Sequence, residues 1–140
     1  MPQSRAPCLL LEKLEAHRVQ ILIIDDDETF CRLLVEILED IGVRAVWTTN
    51  GLTGYEMLTR DEYDLCIIDV RMPLVLGTEL AEAIREDYPR IKIILASAFA
   101  DQALQDYARR MGILLLSKPF SPNRLLNAVE LALGESLSRN

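Results

Sequence analysis

Short uninterrupted apolar runs alternate along this chain with longer stretches whose apolar positions recur every three or four residues. The first run, Val19-Gln20-Ile21-Leu22-Ile23-Ile24, is rich in β-branched residues and lacks polar alternation, so it predicts a strand buried on both faces. Phe30, Leu33, Leu34, Ile37, Leu38 and Ile41 then keep the spacing of one buried helical stripe, with Gly42 placed to end it. A second strand is predicted over 43–48, a second helix over 51–60, and a third buried strand over 63–69 that closes on Asp69. After a loop at 72–77, a third helix runs over 78–88 and stops before Pro89, which has no N–H to continue it. The fourth strand covers 91–95 and delivers Ser97 to its C-terminal end. Asp101 can cap a fourth helix that Gly112 terminates, and 113–116 forms a fifth strand with Lys118 just beyond it. Ser121 and Pro122 open a last helix whose buried face is Leu125, Leu126, Val129 and Leu133.

Strands that alternate with helices predict an α/β fold, a doubly wound five-stranded parallel sheet with five helices in three layers. The folded unit is expected over 19–134, between an N-terminal extension at 1–18 and a C-terminal tail at 135–140. Within the extension, Leu9, Leu10, Leu11 and Leu14 can line one face of a short helix that packs on the domain or on a second subunit.

The total of 140 residues suits one domain and leaves no room for a second folded module, so no separate output domain is expected. A net charge of -7 works against binding a phosphate backbone, which argues against direct contact with nucleic acid. Cys8, Cys31 and Cys66 have no metal-type spacing and read as reduced, packed thiols of a cytoplasmic protein. The apolar stretch at 8–11 is too short and too quickly followed by charge for a secretory signal, and no run approaches the length of a membrane span.

Charge also marks where the chemistry lies. Asp25, Asp26 and Asp27 emerge together from the first strand, at the edge where open α/β sheets bind ligands. Two carboxylates about 4 Å apart repel by roughly 4 kcal/mol at an effective dielectric near 20, so such a cluster must be protonated, paired or bound to a metal. Clustered Asp oxygens suit a hard divalent ion, Mg²⁺ above all. The predicted topology brings Asp69, Ser97 and Lys118 to the same edge. Phosphoryl transfer would use all of them: Asp69 as nucleophile, Asp25 and Asp26 to hold Mg²⁺ against Asp69, Lys118 as a point charge and Ser97 as a hydrogen-bond donor.

Four segments in order, Ile-Leu-Ile-Ile-Asp-Asp-Asp at 21–27, Ile-Ile-Asp-Val-Arg-Met-Pro at 67–73, Ala96-Ser97-Ala98 and Ser117-Lys118-Pro119-Phe120, resemble the receiver domain of two-component response regulators, the chemotaxis-regulator type. The resemblance implies a flavodoxin-like sheet with strand order 2-1-3-4-5. It implies that Asp69 takes a phosphoryl group from a histidine kinase or phosphotransfer protein, with Mg²⁺ on Asp25, Asp26, Asp69 and the main-chain carbonyl of Arg71. A cis peptide between Lys118 and Pro119, and signalling to a downstream protein by conformational change, are implied as well.

Departures from the family pattern carry their own expectations. Leu76 stands where many receivers have an acid, and Leu74, Val75 and Leu76 either form a docking surface or fold onto the third helix. Leu115 replaces the aromatic residue that often reports the switch. Arg71 and Phe99 sit where the family sets phosphoryl lifetime, and either screen attacking water or point to solvent. His17, in a polar stretch, reads as a solvated histidine rather than a phosphodonor, and Trp47 as core packing. Two rival functions are weighed: a receiver-like interaction module that works without phosphorylation, and a haloacid dehalogenase-type phosphatase built on Asp25-Asp26-Asp27-Glu28-Thr29. The second needs another acidic pair after its lysine, and beyond Lys118 only Glu130 and Glu135 remain.

Overall fold

The computed structural model describes residues 18–137, so the leucines at 9–14, Cys8 and His17 lie outside the described residues. Five strands, β1 (Gln20–Ile24), β2 (Arg44–Thr48), β3 (Leu65–Asp69), β4 (Lys92–Ser97) and β5 (Leu114–Ser117), alternate with five helices, α1 (Glu28–Glu39), α2 (Gly51–Arg60), α3 (Gly77–Asp87), α4 (Gln102–Met111) and α5 (Pro122–Leu133). All pairings are parallel and the sheet order is β2-β1-β3-β4-β5. The architecture is the doubly wound three-layer α/β fold with the strand order expected above.

Side-chain alternation along the strands splits the core into two layers. Ile21, Ile23, Leu65, Ile67, Ile94 and Ala96 face α1 and α5, where they meet Cys31, Leu34, Leu38, Leu125, Leu126 and Val129. Leu22, Ile24, Cys66, Ile68, Ile93 and Leu95 face the other way, onto Leu58 of α2 and Leu80, Ala81 and Ile84 of α3. Burial on both faces explains why these strands read as continuous apolar runs.

The helix ends are local chemistry. Asp27, Asn50, Asp101 and Ser121 each accept a hydrogen bond from a backbone N–H in the first turn of their helix, so the third acid of the leading cluster is a cap. Gly42 follows α1 with φ of 81° and Gly112 caps α4 with φ of 66°, conformations that cost glycine little. α4 is tied to α3 by the Tyr107 hydroxyl, which donates to Glu82 at 2.8 Å, and by Arg85, which donates to the Met111 carbonyl.

The apolar spacing predicts Leu33 on the core stripe of α1, but it is 51 % exposed. At about 100° per residue, Cys31, Leu34 and Leu38 centre the buried face, and Leu33 falls on its far side. The buried face is therefore turned toward Cys31 relative to the predicted stripe. Trp47 is half-buried against the first core layer, with the Arg32 guanidinium 5.4 Å from its ring centroid.

Candidate functional site

The registers that build the sheet also align its C-terminal edge. Ile24 stands beside Thr48 and Ile68, Asp69 beside Ala96, and Ser97 beside Ser117, so each chain leaves its strand at nearly the same level. Asp25 and Asp26 follow β1, Asp69 and Ser97 end β3 and β4, and Lys118 follows β5. Residues almost a hundred positions apart thus meet.

One carboxylate oxygen each from Asp25, Asp26 and Asp69 lies within 4.8 Å of the others. Asp25 and Asp69 are buried, whereas Asp26 is exposed. Both oxygens of Asp25 are engaged: the backbone N–H of Asp27 donates to Oδ1 at 2.9 Å, and Lys118 Nζ donates to Oδ2 at 2.6 Å. The Cys31 thiol donates to the Asp25 carbonyl at 3.3 Å, which pins the turn from β1 into α1. Lys118 Nζ also reaches Asp69 Oδ1 at 3.4 Å.

Burial, then the neighbouring Asp25 charge, push the Asp69 carboxyl up to about 6, although Lys118 pulls the other way. Burial alone would lower the Lys118 ammonium, but its bonds and charges with Asp25 and Asp69 outweigh this and hold it above its ordinary value. Three acidic side chains therefore face one lysine. Clustered carboxyl oxygens of this kind suit a divalent, oxygen-seeking cation, and these three side chains could hold one.

Ser97 is buried beside this cluster. The Phe99 N–H donates to its Oγ at 3.0 Å, and its carbonyl accepts from the Lys118 N–H at 2.8 Å, which ties the β4 and β5 ends together. The Lys118–Pro119 peptide is cis, as the resemblance implied. Arg71 has an exposed side chain that lies on Phe99, its guanidinium carbon 5.2 Å from the ring centroid. Both side chains are exposed, in keeping with the solvent reading, and they also contact one another across the loops after β3 and β4. Of the loop leucines, Leu74 is 89 % exposed and Leu76 is half-exposed, while Val75 turns in onto the second core layer. Leu115 is half-buried on that same layer.

The family model of the response regulator receiver domain matches residues 21–130. The chain belongs to the response regulator receiver family. It is 36 % identical over 112 residues to the response regulator receiver protein CpdR of Brucella abortus, covering 79 % of this chain and 93 % of that protein. Its fold superposes with a TM-score of 0.78 on a CheY-like receiver domain from Methanospirillum hungatei, at 25 % identity over 84 % of this chain and 94 % of the other. The response regulator TrrA of Thermotoga maritima, solved in complex with Mg²⁺-BeF, gives a TM-score of 0.74 at 28 % identity, over 82 % of this chain and 99 % of that one.

This receiver domain is therefore a signalling module of two-component systems. Among the described residues no helix is long and apolar enough to cross a membrane. The phosphatase reading loses its footing, since Glu130 lies far along α5 and accepts the Leu137 N–H at 2.7 Å, away from the sheet edge.

Sequence reasoning overlooked the aromatic side of the site. Phe30, counted above as core, puts its ring 4.3 Å from Lys118 Nζ, and Phe120 packs edge to face on Phe30. Periodicity could not separate Phe30 from the other apolar positions of α1. Only its place in the first turn, next to the acids, hinted at the edge.

Proposed function

We propose that this receiver accepts a phosphoryl group on Asp69 from a histidine kinase or phosphotransfer protein and passes the signal to a downstream protein. The observation that carries this reading is the convergence of Asp25, Asp26, Asp69 and Lys118. In the transfer, an Asp69 carboxylate oxygen forms the new bond to phosphorus as the bond to the donor imidazole nitrogen breaks, and that nitrogen keeps the electron pair. Lys118 moves its N–H donors onto a phosphoryl oxygen and remains protonated. Ser97 already accepts from Phe99, so its hydroxyl hydrogen is available to another phosphoryl oxygen. Asp25, Asp26 and Asp69, with the main-chain carbonyl of Arg71, would hold Mg²⁺, which when bound supplies the positive charge that the equatorial oxygens require.

The receiver unit is taken as 19–134, in a cytoplasmic setting, with changed affinity for a protein partner or a second copy as its output. Mass analysis after treatment with Mg²⁺ and a small acyl phosphate tests this reading. One phosphoryl group on Asp69 is expected, absent in Asp69→Asn and slowed in Lys118→Ala, in which metal binding survives. An unmodified wild-type protein would leave the contact-only module instead.

A further inference from the structure

The ammonium of Lys118 rests on the face of an aromatic ring. Its Nζ is 4.3 Å from the centroid of Phe30, while 2.6 Å from Asp25 Oδ2 and 3.4 Å from Asp69 Oδ1. Phe30 is itself held in place: it packs on the first core layer, and Phe120 meets it with ring centroids 5.6 Å apart and planes at 79°. Building on the phosphoacceptor reading, we infer that Phe30 is a positioning residue, whose ring holds the Lys118 ammonium at the reacting side of Asp69.

A ring offers a lysine something that an oxygen does not. A lysine is a point charge on a flexible four-carbon stem, with three N–H donors and no fixed direction. If carboxylates alone held it, moving toward a phosphoryl oxygen would mean giving up the short bond to Asp25. The face of a benzene ring attracts the cation through its quadrupole and accepts no directed bond, so the ammonium can slide across it while its donors change partners. The ring also offers no oxygen, and so cannot compete for a metal ion held by Asp25. A leucine at position 30 would fill much of the same space without the quadrupole.

Three proteins test this: the wild type, Phe30→Leu and Phe30→Tyr. Phosphorylation of Asp69 by acetyl phosphate at saturating Mg²⁺ is expected to slow about three- to tenfold in Phe30→Leu, the scale of one partly shielded cation–π contact, and to recover in Phe30→Tyr. Magnesium affinity should change by less than about twofold, because the ring touches the lysine and offers no ligand. In the metal-free wild type, the Lys118 ε-methylene protons should be shifted upfield by the ring current, a signature that needs no variant and that Phe30→Leu should abolish. Equal rates in all three proteins, or an ordinary ε-methylene position in the wild type, would overturn the role of Phe30. A wild type that takes no phosphoryl group at Asp69 would instead overturn the phosphoacceptor reading, and the role of Phe30 with it.

Discussion

Arg71 and Phe99 illustrate how two exposed residues can matter through each other. Each follows an edge residue by two positions, Arg71 after Asp69 and Phe99 after Ser97, and their stacking bridges the two loops that flank the proposed acceptor. We propose that water reaching an acyl phosphate at Asp69 must pass this stack. Removing the ring in Phe99→Ala is expected to shorten the lifetime of phosphorylated Asp69 severalfold, read as loss of the phosphoryl mass with time. Arg71→Ala should do the same, and the double variant should add little, because the two side chains form one cover. Unchanged lifetimes in both single variants would reduce the stack to a surface contact. Cys66 shows the opposite case, a residue isolated from solvent. Burial pushes its thiol from 9.0 up to about 12. The folded form therefore keeps the proton where the unfolded chain loses it, so this contribution to stability is whole below pH 9.0 and is lost as pH rises toward about 12. Urea midpoints should fall across that window, with a smaller slope in Cys66→Ala, and thiol reagents at pH 8 should modify Cys66 only at the rate of unfolding.

At the scale of elements, α3 is the helix that departs from its neighbours. The other four begin with Asp, Asn or Ser side chains that accept an N–H of the first turn, whereas Leu76 occupies that place in α3 and has nothing to offer. Glu79 compensates in part by accepting the Leu76 N–H at 3.3 Å. An aspartate at 76 would accept the N–H of Glu79 and place negative charge at the positive end of the helix dipole. Leu76→Asp is thus expected to stabilise the domain by about 1 kcal/mol, measured from urea unfolding. A loss of stability would mean that the half-exposed leucine packs better than its exposure suggests. The start of α3 is fixed in another way as well. A Cβ on Gly77 would fall 2.1 Å from the Asp69 carbonyl oxygen, and the Gly77 N–H donates to the Val70 carbonyl at 2.8 Å. Here the glycine is required by the close approach of α3 to the end of β3, the strand that carries Asp69.

Taken as a whole molecule, the sheet was legible because its central strands β1, β3 and β4 are buried on two faces, and because four of the five helices open on a short-range cap signal. The edge residues Asp25, Asp69, Ser97 and Lys118 followed from topology alone, since parallel strands must present their C-terminal ends together. What the linear pattern hid were contacts between loops and across helices: the Phe30 ring under Lys118, the Arg71–Phe99 stack, and the phase of the α1 stripe, whose buried face centres on Cys31, Leu34 and Leu38. Apolar periodicity reports that a side chain is buried and is silent about which neighbour it meets.

If the site holds a cation as proposed, the same convergence sets stability against binding across the entire domain. Asp25, Asp26 and Asp69 come from the ends of two adjacent strands, β1 and β3, and their mutual repulsion is only partly offset by Lys118. Without a divalent ion, Asp26→Ala removes one repelling charge and should raise the thermal midpoint above that of the wild type. With Mg²⁺ present at 100 times its dissociation constant, the wild type should gain about 2.7 kcal/mol by mass action, since the unfolded chain has no assembled site. The variant, lacking one ligand, should gain far less. The two thermal midpoints are therefore expected to cross as Mg²⁺ is titrated in, and to cross back when the ion is removed with a chelator. Parallel curves, with the variant stabilised as much as the wild type, would show that Asp26 contributes repulsion without ligation and would return the metal site to Asp25 and Asp69 alone.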